Sequence, residues 1–328
     1  MNYNNEEVVL EINNLKKHFP VKHSSSFLNL KKEKVQAVNN ISFRLNKRET
    51  YGLVGESGCG KSTTGRTILR LVEPTSGEII YKGQNLSEFK SKEMRRTRKN
   101  LQMVFQNHYA SLNPKKRIGP ILEESLSIHS IGKKEKYPMK VIDILEKVGL
   151  QKEHYYRFPH EFSGGQRQRI GLARALVTDP EIVIFDEPVS ALDVSVQSQI
   201  LNLIQDLQRE MALSFIFIAH DLSVVRHVSD RIGIMYLGNI VEESPTDSLF
   251  AQPLHPYTQA LLSAIPTPEI KEDYKERIVL KGDIPTPLNP PSGCVFHTRC
   301  PFKMDVCDKE IPEKKEIYKN HFVACHLY

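Results

Sequence analysis

Continuous apolar runs in the second half of the sequence predict strands that are buried on both faces. The stretches IVIF (residues 182–185) and FIFIA (residues 215–219) lack alternation, as is typical of strands inside a parallel sheet. RIGIMYL (residues 231–237) predicts a further strand. Earlier segments alternate between apolar and polar positions, as half-exposed antiparallel strands do; they are VLEI (residues 9–12), VQAVNNISFRL (residues 35–45) and EIIYKG (residues 78–83).

Between about residues 107 and 178 the apolar spacing becomes helical. The segments concerned are RIGPILEESLSIH (residues 117–129), MKVIDILEKVGL (residues 139–150) and GGQRQRIGLARALVT (residues 164–178). Strands on both sides of this region predict an α-helical subdomain inserted into an α/β core.

Near residue 250 the composition changes, and the change predicts a domain boundary. Prolines crowd together from Pro245 to Pro268, and a cysteine cluster follows. We therefore expect an α/β domain over residues 1–250 and a small C-terminal extension over residues 251–328.

Composition limits the classes of protein to which the chain can belong. Of 328 residues, 40% are hydrophobic and 26% are charged, and the net charge is +6. No apolar run approaches the roughly 18 residues needed to cross a bilayer, and the first residues do not resemble a secretory signal, so we expect a cytosolic chain. Basic runs at residues 90–100 and 113–117 could meet nucleic acid or anionic lipid, or could be solvated faces.

A glycine-rich turn follows the apolar run YGLV and predicts a phosphate-binding loop. GESGCGKSTTGR (residues 55–66) fits the pattern G-x-x-x-x-G-K-S/T. In this pattern backbone N–H groups surround a phosphate, the lysine reaches the outer phosphates, and the hydroxyl after it ligates Mg²⁺. An ordinary strand-to-helix turn is the alternative. The predicted nucleotide-binding residues are Gly55, Glu56, Ser57, Gly58, Cys59, Gly60, Lys61, Ser62 and Thr63.

Two carboxylates end the buried strand EIVIFD and predict the catalytic half of the site. Asp186 would hold Mg²⁺ together with Ser62, and Glu187 would polarise a water for attack on the γ-phosphate. Simple solvation or a helix cap is the alternative. The apolar strand before the pair and Pro188 after it favour chemistry.

A second helix start equipped for an anion lies in EFSGGQRQR. Ser163, Gly164, Gly165 and Gln166 open a segment with a strong helical period. Because the first loop already binds the nucleotide within this chain, a second phosphate-binding helix start needs a partner. Two subunits that hold ATP between them head to tail are the simplest arrangement.

With these motifs in order, the sequence resembles the ATP-binding cassette (ABC) ATPases. FSGGQ is similar to their signature motif, with Phe162 where leucine is commoner. The resemblance implies three further roles: Gln106 is the glutamine that touches Mg²⁺ and the attacking water, Asp193 lies in the loop across the dimer interface, and His220 contacts the γ-phosphate. Phe19 would stack on adenine, although a core phenylalanine is the default interpretation.

The resemblance extends to a branch of the family. HPYTQALLSAIP (residues 255–266), GDIPTPLNPPSGC (residues 282–294) and FHTRCP (residues 296–301) look like the extension of oligopeptide and dipeptide importer ATPases, and HYASLNPKKRIG (residues 108–119) resembles the second of their two ATPase subunits. This implies a heterodimer with a homologous ATPase, two transmembrane permeases, an extracellular substrate-binding protein and a peripheral location on the cytoplasmic face of the membrane. Nickel complexes are the alternative cargo. A soluble relative that acts on nucleic acid or ribosomes is the alternative function, although we expect no nucleic-acid partner.

The same resemblance implies that the surface over residues 107–135 receives a short permease helix; an ordinary helical face is the alternative.

Four cysteines lie within the last 35 residues: Cys294, Cys300, Cys307 and Cys325. Cytosolic conditions argue against disulfides, and the spacing matches neither the usual zinc pairs nor ferredoxins. Some members of the resembled family carry a [4Fe-4S] cluster on these cysteines, so we expect one here, with zinc second and free thiols as the alternative. His297, His321 and His326 are possible substitute ligands.

Overall fold

The computed structural model describes residues 7–21, 33–106, 112–190, 192–265 and 278–328. The chain divides into two compact units. One comprises residues 1–9, 45–50 and 88–218, and we call it the helical unit; the other comprises residues 10–44, 51–87 and 219–328, and we call it the loop unit. Residues 107–111, 191 and 266–277, which include parts of the predicted motifs, lie outside the described residues.

The strands in chain order are β1 (Val8–Pro20), β2 (Lys34–Asn46), β3 (Thr50–Val54), β4 (Ser76–Tyr81), β5 (Gln84–Asn85), β6 (Leu101–Val104), β7 (Ile182–Asp186), β8 (Ser214–Ala219), β9 (Arg231–Tyr236), β10 (Asn239–Pro245), β11 (Lys314–Tyr318) and β12 (His321–Ala324). The α-helices are α1 (Lys61–Ile68), α2 (Ser91–Thr97), α3 (Ile118–Ile128), α4 (Tyr137–Lys147), α5 (Gly164–Leu176), α6 (Val194–Met211), α7 (Leu222–Val228), α8 (Thr246–Ala251) and α9 (Pro256–Ser263).

The alternating segments near the start of the chain form an antiparallel sheet in the loop unit, as predicted. Its strand order is β2-β1-β4-β5, and β1 pairs with β4 so that Leu10 faces Tyr81 and Ile12 faces Ile79. These four side chains are buried, so the apolar face of the pair lies in the core.

Five strands of a second sheet lie in the loop unit and position the phosphate loop. These strands follow the order β11-β12-β10-β9-β3, with β3 parallel to β9 and the other pairs antiparallel. Every residue of β3 is buried, and Val54 pairs with Ile234 just before the chain turns into the glycine-rich loop. The described residues after position 250, namely 251–265 and 278–328, belong to the same unit as this loop.

The helical unit contains the predicted parallel strands. β6, β7 and β8 pair in parallel, with Val104 opposite Phe185 and Asp186 opposite Ile218. All residues of β7 and β8 are buried, which accounts for their continuous apolar runs. The helices α3, α4 and α5 lie within the range predicted as helical.

Candidate functional site

The glycine-rich loop joins the end of β3 to α1, and two of its glycines are required by close backbone packing. A Cβ on Gly55 would lie 2.1 Å from the carbonyl oxygen of Met235, and one on Gly60 would lie 2.0 Å from that of Ala37. Gly60 also has a φ of 106° and precedes the first residue of α1. Glycine is therefore required at both positions, because the loop backbone packs against these two carbonyl groups too closely for any side chain.

Lys61 is buried at the start of α1, and its ammonium group hydrogen-bonds to the first residues of the loop. Its Nζ donates to the carbonyl oxygens of Gly55 (2.7 Å) and Glu56 (3.0 Å). Ser62 and Thr63 follow in the first turn and are partly buried. Burial raises the pKa of the Cys59 thiol, so Cys59 is a neutral packing residue at this position. The structure therefore places the Lys61 ammonium within the loop and the Ser62 hydroxyl directly after it, and their contacts with a nucleotide stay a prediction.

The helical unit brings Gln106 and Glu187 together. Parallel pairing of β6 and β7 places the carboxyl ends of both strands at one edge, where the Gln106 Nε2 donates to Glu187 Oε2 at 3.0 Å. Asp186 is fully buried at the end of β7. Glu187 has a φ of 49°, and its N–H donates to the Ile218 carbonyl at 3.0 Å. This geometry suits a carboxylate that is oriented by an amide to hold a water.

The predicted second anion site is the N-terminus of α5. Ser163 is exposed and caps the helix: its Oγ accepts from the Gln166 N–H (3.3 Å), while Gln166 Oε1 accepts from the Ser163 N–H (3.0 Å). Gly164 and Gly165 form the first turn. Phe162 is buried against His154, with ring centroids 5.1 Å apart, so the departure from leucine fills an apolar position. The helix start therefore has an open end toward solvent.

Three other predicted residues lie at element boundaries or on the surface. Asp193 is the exposed N-cap residue of α6. His220 is exposed between β8 and α7. Phe19 lies near the end of β1 and is 36% exposed, with Lys17 Nζ 4.8 Å above its ring. Phe19 is thus outside the core, contrary to the default interpretation, and its adenine contact stays a prediction.

The predicted metal-binding cysteines lie in one region but lack a metal-ligating arrangement. Burial raises the pKa of Cys294 to about 11, and the neighbouring thiols Cys325, Cys307 and Cys300 add to the shift. Cys294 N–H donates to the Cys307 carbonyl at 2.8 Å. In the part of the chain that the structure describes, no group of three or more His, Cys, Asp or Glu side chains is placed to hold a metal ion.

The three histidines considered as substitute ligands have hydrogen-bond partners of their own. His321 Nε2 lies 2.7 Å from Glu242 Oε1, His326 Nε2 lies 2.9 Å from the Glu310 carbonyl, and His297 Nδ1 lies 2.9 Å from the Cys294 carbonyl.

Sequence reasoning missed Tyr257 and Arg299, which contact the phosphate loop. The Tyr257 hydroxyl accepts from the Glu56 N–H, and the Arg299 guanidinium pairs with the Glu56 carboxylate. Both residues lie in segments, HPYTQ and FHTRC, that served only to indicate a family. The signal available in the sequence was that both residues lie in segments that resemble the extension of importer ATPases.

Among the described residues, no helix combines the length and apolar character that a membrane crossing requires.

Comparison with known proteins matches these features. Residues 38–190 match the family model described as ABC transporter, and residues 241–307 match the one described as oligopeptide/dipeptide transporter, C-terminal region. The chain is 53% identical over 326 residues to the oligopeptide transport ATP-binding protein AppF of Bacillus subtilis, covering 99% of this chain and 98% of that protein. It is 49% identical to the dipeptide transport ATP-binding protein DppF of Escherichia coli, covering 98% of this chain and 94% of that protein.

A solved structure supports the same assignment. The dimeric ATP-binding cassette MJ0796, in a post-hydrolysis state bound to ADP and Pi, aligns with a TM-score of 0.63 and 26% identity over 72% of this chain and 98% of that one. The predicted ABC ATPase fold, with its parallel core strands and antiparallel sheet, is confirmed. Because sequence relatives match across nearly the whole length and both family models match in order, this chain belongs to the ABC transporter family, among its oligopeptide and dipeptide transport ATP-binding proteins.

Proposed function

We propose that this chain is the ATP-hydrolysing motor subunit of an importer for oligopeptides or dipeptides. The observation that carries the proposal is the pairing of Gln106 with Glu187 at 3.0 Å, in a chain that also has a phosphate-binding loop. The names of the relatives, which refer to oligopeptide and dipeptide transport, favour peptides over nickel complexes as cargo.

The residues divide the work of phosphoryl transfer. The loop N–H groups and Lys61 bind the phosphates, and His220 contacts the γ-phosphate. Ser62 and Asp186 would hold Mg²⁺, which when bound offsets charge on the phosphate oxygens. Glu187 accepts a proton from the attacking water, and Gln106 orients the Glu187 carboxylate through their hydrogen bond.

Hydrolysis requires two subunits in this proposal. The exposed helix start at Ser163 faces the nucleotide bound to the loop of a partner, and Asp193 lies in the interface between them. The partner is a second, homologous ATPase, so that the pair is a heterodimer. Two permeases and an extracellular substrate-binding protein complete the assembly, and the ATPases lie on the cytoplasmic face of the membrane.

The experiment is to co-express this chain with the permeases and the homologous ATPase of its own organism, and to reconstitute the complex in vesicles. We expect ATP hydrolysis that rises with the loaded binding protein, and ATP-dependent accumulation of a labelled peptide. Stimulation of the isolated chain by DNA or RNA, with no peptide accumulation in the complex, would replace the proposal with the nucleic-acid alternative. Accumulation of nickel complexes in place of peptides would change the cargo.

For the four cysteines we propose a [4Fe-4S] cluster, with zinc as the second candidate. The support is their donor chemistry, four thiols gathered in one region, together with the family resemblance. Because the described side chains are not arranged as metal ligands, the proposal requires the thiols to move together when the cluster binds. Metal analysis and visible absorption of anaerobically purified protein distinguish the outcomes. Four irons and four inorganic sulfides for each chain support the cluster; one zinc for each chain, or no metal, excludes it.

A further inference from the structure

The phosphate loop has contacts outside its own strand and helix, and they converge on Glu56. The backbone N–H of Glu56 donates to the hydroxyl of Tyr257 at 2.9 Å. The Glu56 carboxylate accepts two hydrogen bonds from the guanidinium of Arg299, at 2.8 and 3.2 Å. Tyr257 and Arg299 both lie within the matched C-terminal region, residues 241–307. The extension therefore holds the second residue of the loop by its main chain and by its side chain.

The Tyr257 hydroxyl is held in a fixed position. Its ring is fully buried and packs against Tyr236 and Phe296, with centroid distances of 4.8 and 5.4 Å. His255 Nδ1 accepts from the Tyr257 N–H at 3.1 Å and so caps α9, with Pro256 in its first turn. Burial raises the pKa of Tyr257, so the phenol stays neutral. The segment HPY (residues 255–257) thus fixes the Tyr257 hydroxyl where it accepts a hydrogen bond from the Glu56 N–H.

Arg299 is held as firmly as Tyr257. Its side chain is 8% exposed, and the guanidinium carbon lies 5.9 Å from the centroid of the Tyr236 ring. A bidentate arginine–carboxylate pair fixes orientation as well as charge, because the guanidinium is planar and permanently protonated. The negative charge of the Glu56 carboxylate, which is 24% exposed, is therefore offset by Arg299, and the carboxylate is directed toward the extension.

A carboxylate in this loop would otherwise oppose its function. ATP is a polyanion, and like charges repel each other over a Debye length of about 8 Å at physiological ionic strength. Lys61 also donates to the Glu56 carbonyl, but that ammonium is the group that reaches the phosphates. Tyr257 and Arg299 contact the N–H and the carboxylate of Glu56, not its carbonyl, so these contacts do not depend on where the Lys61 ammonium lies.

We propose that Tyr257 and Arg299 are positioning residues of the nucleotide site, through which the C-terminal extension sets the conformation and charge of the phosphate loop. The inference rests on the proposed function only in requiring that the loop bind ATP. The extension is then a part of the ATPase site and more than an appendage of a peptide transporter.

The test is titration calorimetry of Mg·ATP into the purified full-length chain. Arg299→Gln should raise the Kd about 10- to 100-fold, since hydrogen bonds to charged groups are lost and Glu56 keeps its charge. Arg299→Lys should be intermediate. Tyr257→Phe, which keeps the ring, should raise the Kd about 3- to 10-fold. Adding Glu56→Gln to Arg299→Gln should improve binding at least about fivefold over Arg299→Gln, because the repelling charge is gone.

Two controls separate the possible outcomes. Lys303→Gln removes an exposed cation of the same extension, paired with Asp308 at 3.1 Å, and should leave the Kd unchanged. Lys61→Ala should abolish binding; if it does not, the proposed function itself fails. A Kd that stays unchanged in Arg299→Gln and Tyr257→Phe, with Lys61→Ala defective, overturns the positioning role alone.

A purely structural role predicts different results. It predicts lower melting temperatures for the variants, unchanged Kd for the folded protein, and no recovery in the Arg299→Gln, Glu56→Gln double variant. In the reconstituted complex the positioning role predicts a raised KM for ATP with kcat within about threefold of the parent. If Arg299→Gln does not fold, Arg299→Lys and Tyr257→Phe provide the same comparison.

Discussion

Replacing Glu187 by glutamine separates two tasks that this side chain performs. The glutamine keeps an oxygen that can accept from Gln106 Nε2, which lies 3.0 Å from Glu187 Oε2. The backbone of Glu187 is held independently, because its N–H donates to the Ile218 carbonyl at 3.0 Å. The substitution should therefore preserve the fold and ATP binding while it removes a group that can accept a proton.

The sizes of the two effects differ enough to be distinguished. A general base contributes about 10²- to 10⁴-fold, equivalent to about 3 to 5 kcal/mol of transition-state stabilisation. The hydrogen bond from Gln106 to the Glu187 carboxylate is charge-assisted and is worth about 1.5 to 3 kcal/mol, whereas a neutral amide acceptor keeps about 0.5 to 1.5 kcal/mol of it. The substitution therefore loses about 1 to 1.5 kcal/mol from this contact, or roughly tenfold. We expect Glu187→Gln to hydrolyse ATP at least about a hundredfold more slowly, a deficit that a weakened contact with Gln106 does not produce.

The assay compares kcat for ATP in the reconstituted complex with the Kd of the full-length chain for ATP. Glu210→Gln is a matched control, since Glu210 is exposed and lies 3.7 Å from Lys147 in the same unit. We expect parental kcat for Glu210→Gln and parental Kd for both variants. Turnover of Glu187→Gln at the parental rate would remove Glu187 from the role of base.

Three further predictions concern the loop, the second helix start and the extension. Gly60→Ala should abolish ATP binding in calorimetry, since the added Cβ would lie 2.0 Å from a carbonyl oxygen. Gly58→Ala is the control: its added Cβ meets nothing within 4 Å, and its positive φ should cost only about 1 to 3 kcal/mol of unfolding free energy. Ser163→Ala should lower the melting temperature slightly, by loss of a cap worth about 1 kcal/mol, and should impair hydrolysis in the complex more than ATP binding by the isolated chain. Burial lowers the pKa of His255 to about 4 despite nearby Glu242, so the folded state favours the neutral imidazole and its contribution to the free energy of unfolding is complete above pH 6.5. That contribution is lost as the pH falls toward 4, and urea titrations should show a loss of about 2 kcal/mol at pH 5. His255→Asn should remove this pH dependence.

The pattern of apolar residues was sufficient to predict a strand where every residue of the strand is buried. The all-apolar runs of β7 and β8 predicted strands because both faces of each strand are covered. The sharp end of β7 then placed Asp186 and Glu187 at a strand terminus. The glycine loop could be recognised because two of its glycines are required: a Cβ added to either would lie within 2.1 Å of a backbone carbonyl oxygen.

Other elements carry no such signal. β6 has four residues, and β11 is almost wholly exposed, so neither shows a usable period. The contact between Gln106 and Glu187 joins residues 81 positions apart, and the contact between Glu56 and Arg299 joins residues 243 positions apart. Pairings of that kind arise from strand order, which the spacing along one sequence does not encode. The family resemblance assigned Gln106 and Glu187 to the same attacking water but did not predict their direct hydrogen bond, and it gave no indication of the contact between Glu56 and Arg299.

The extension is also joined to the nucleotide-binding core through one buried carboxylate. Glu242 in β10 is fully buried and accepts from the N–H groups of Leu254 (2.8 Å) and His255 (2.9 Å), while His321 of β12 lies 2.7 Å away. A chain cut near residue 250 would remove these three partners of the Glu242 carboxylate together with β12, which pairs with β10 at this position. The same cut would remove the two groups that hold Glu56. The predicted boundary at residue 250 therefore divides the sequence by composition, whereas the phosphate loop depends physically on residues from both sides of it.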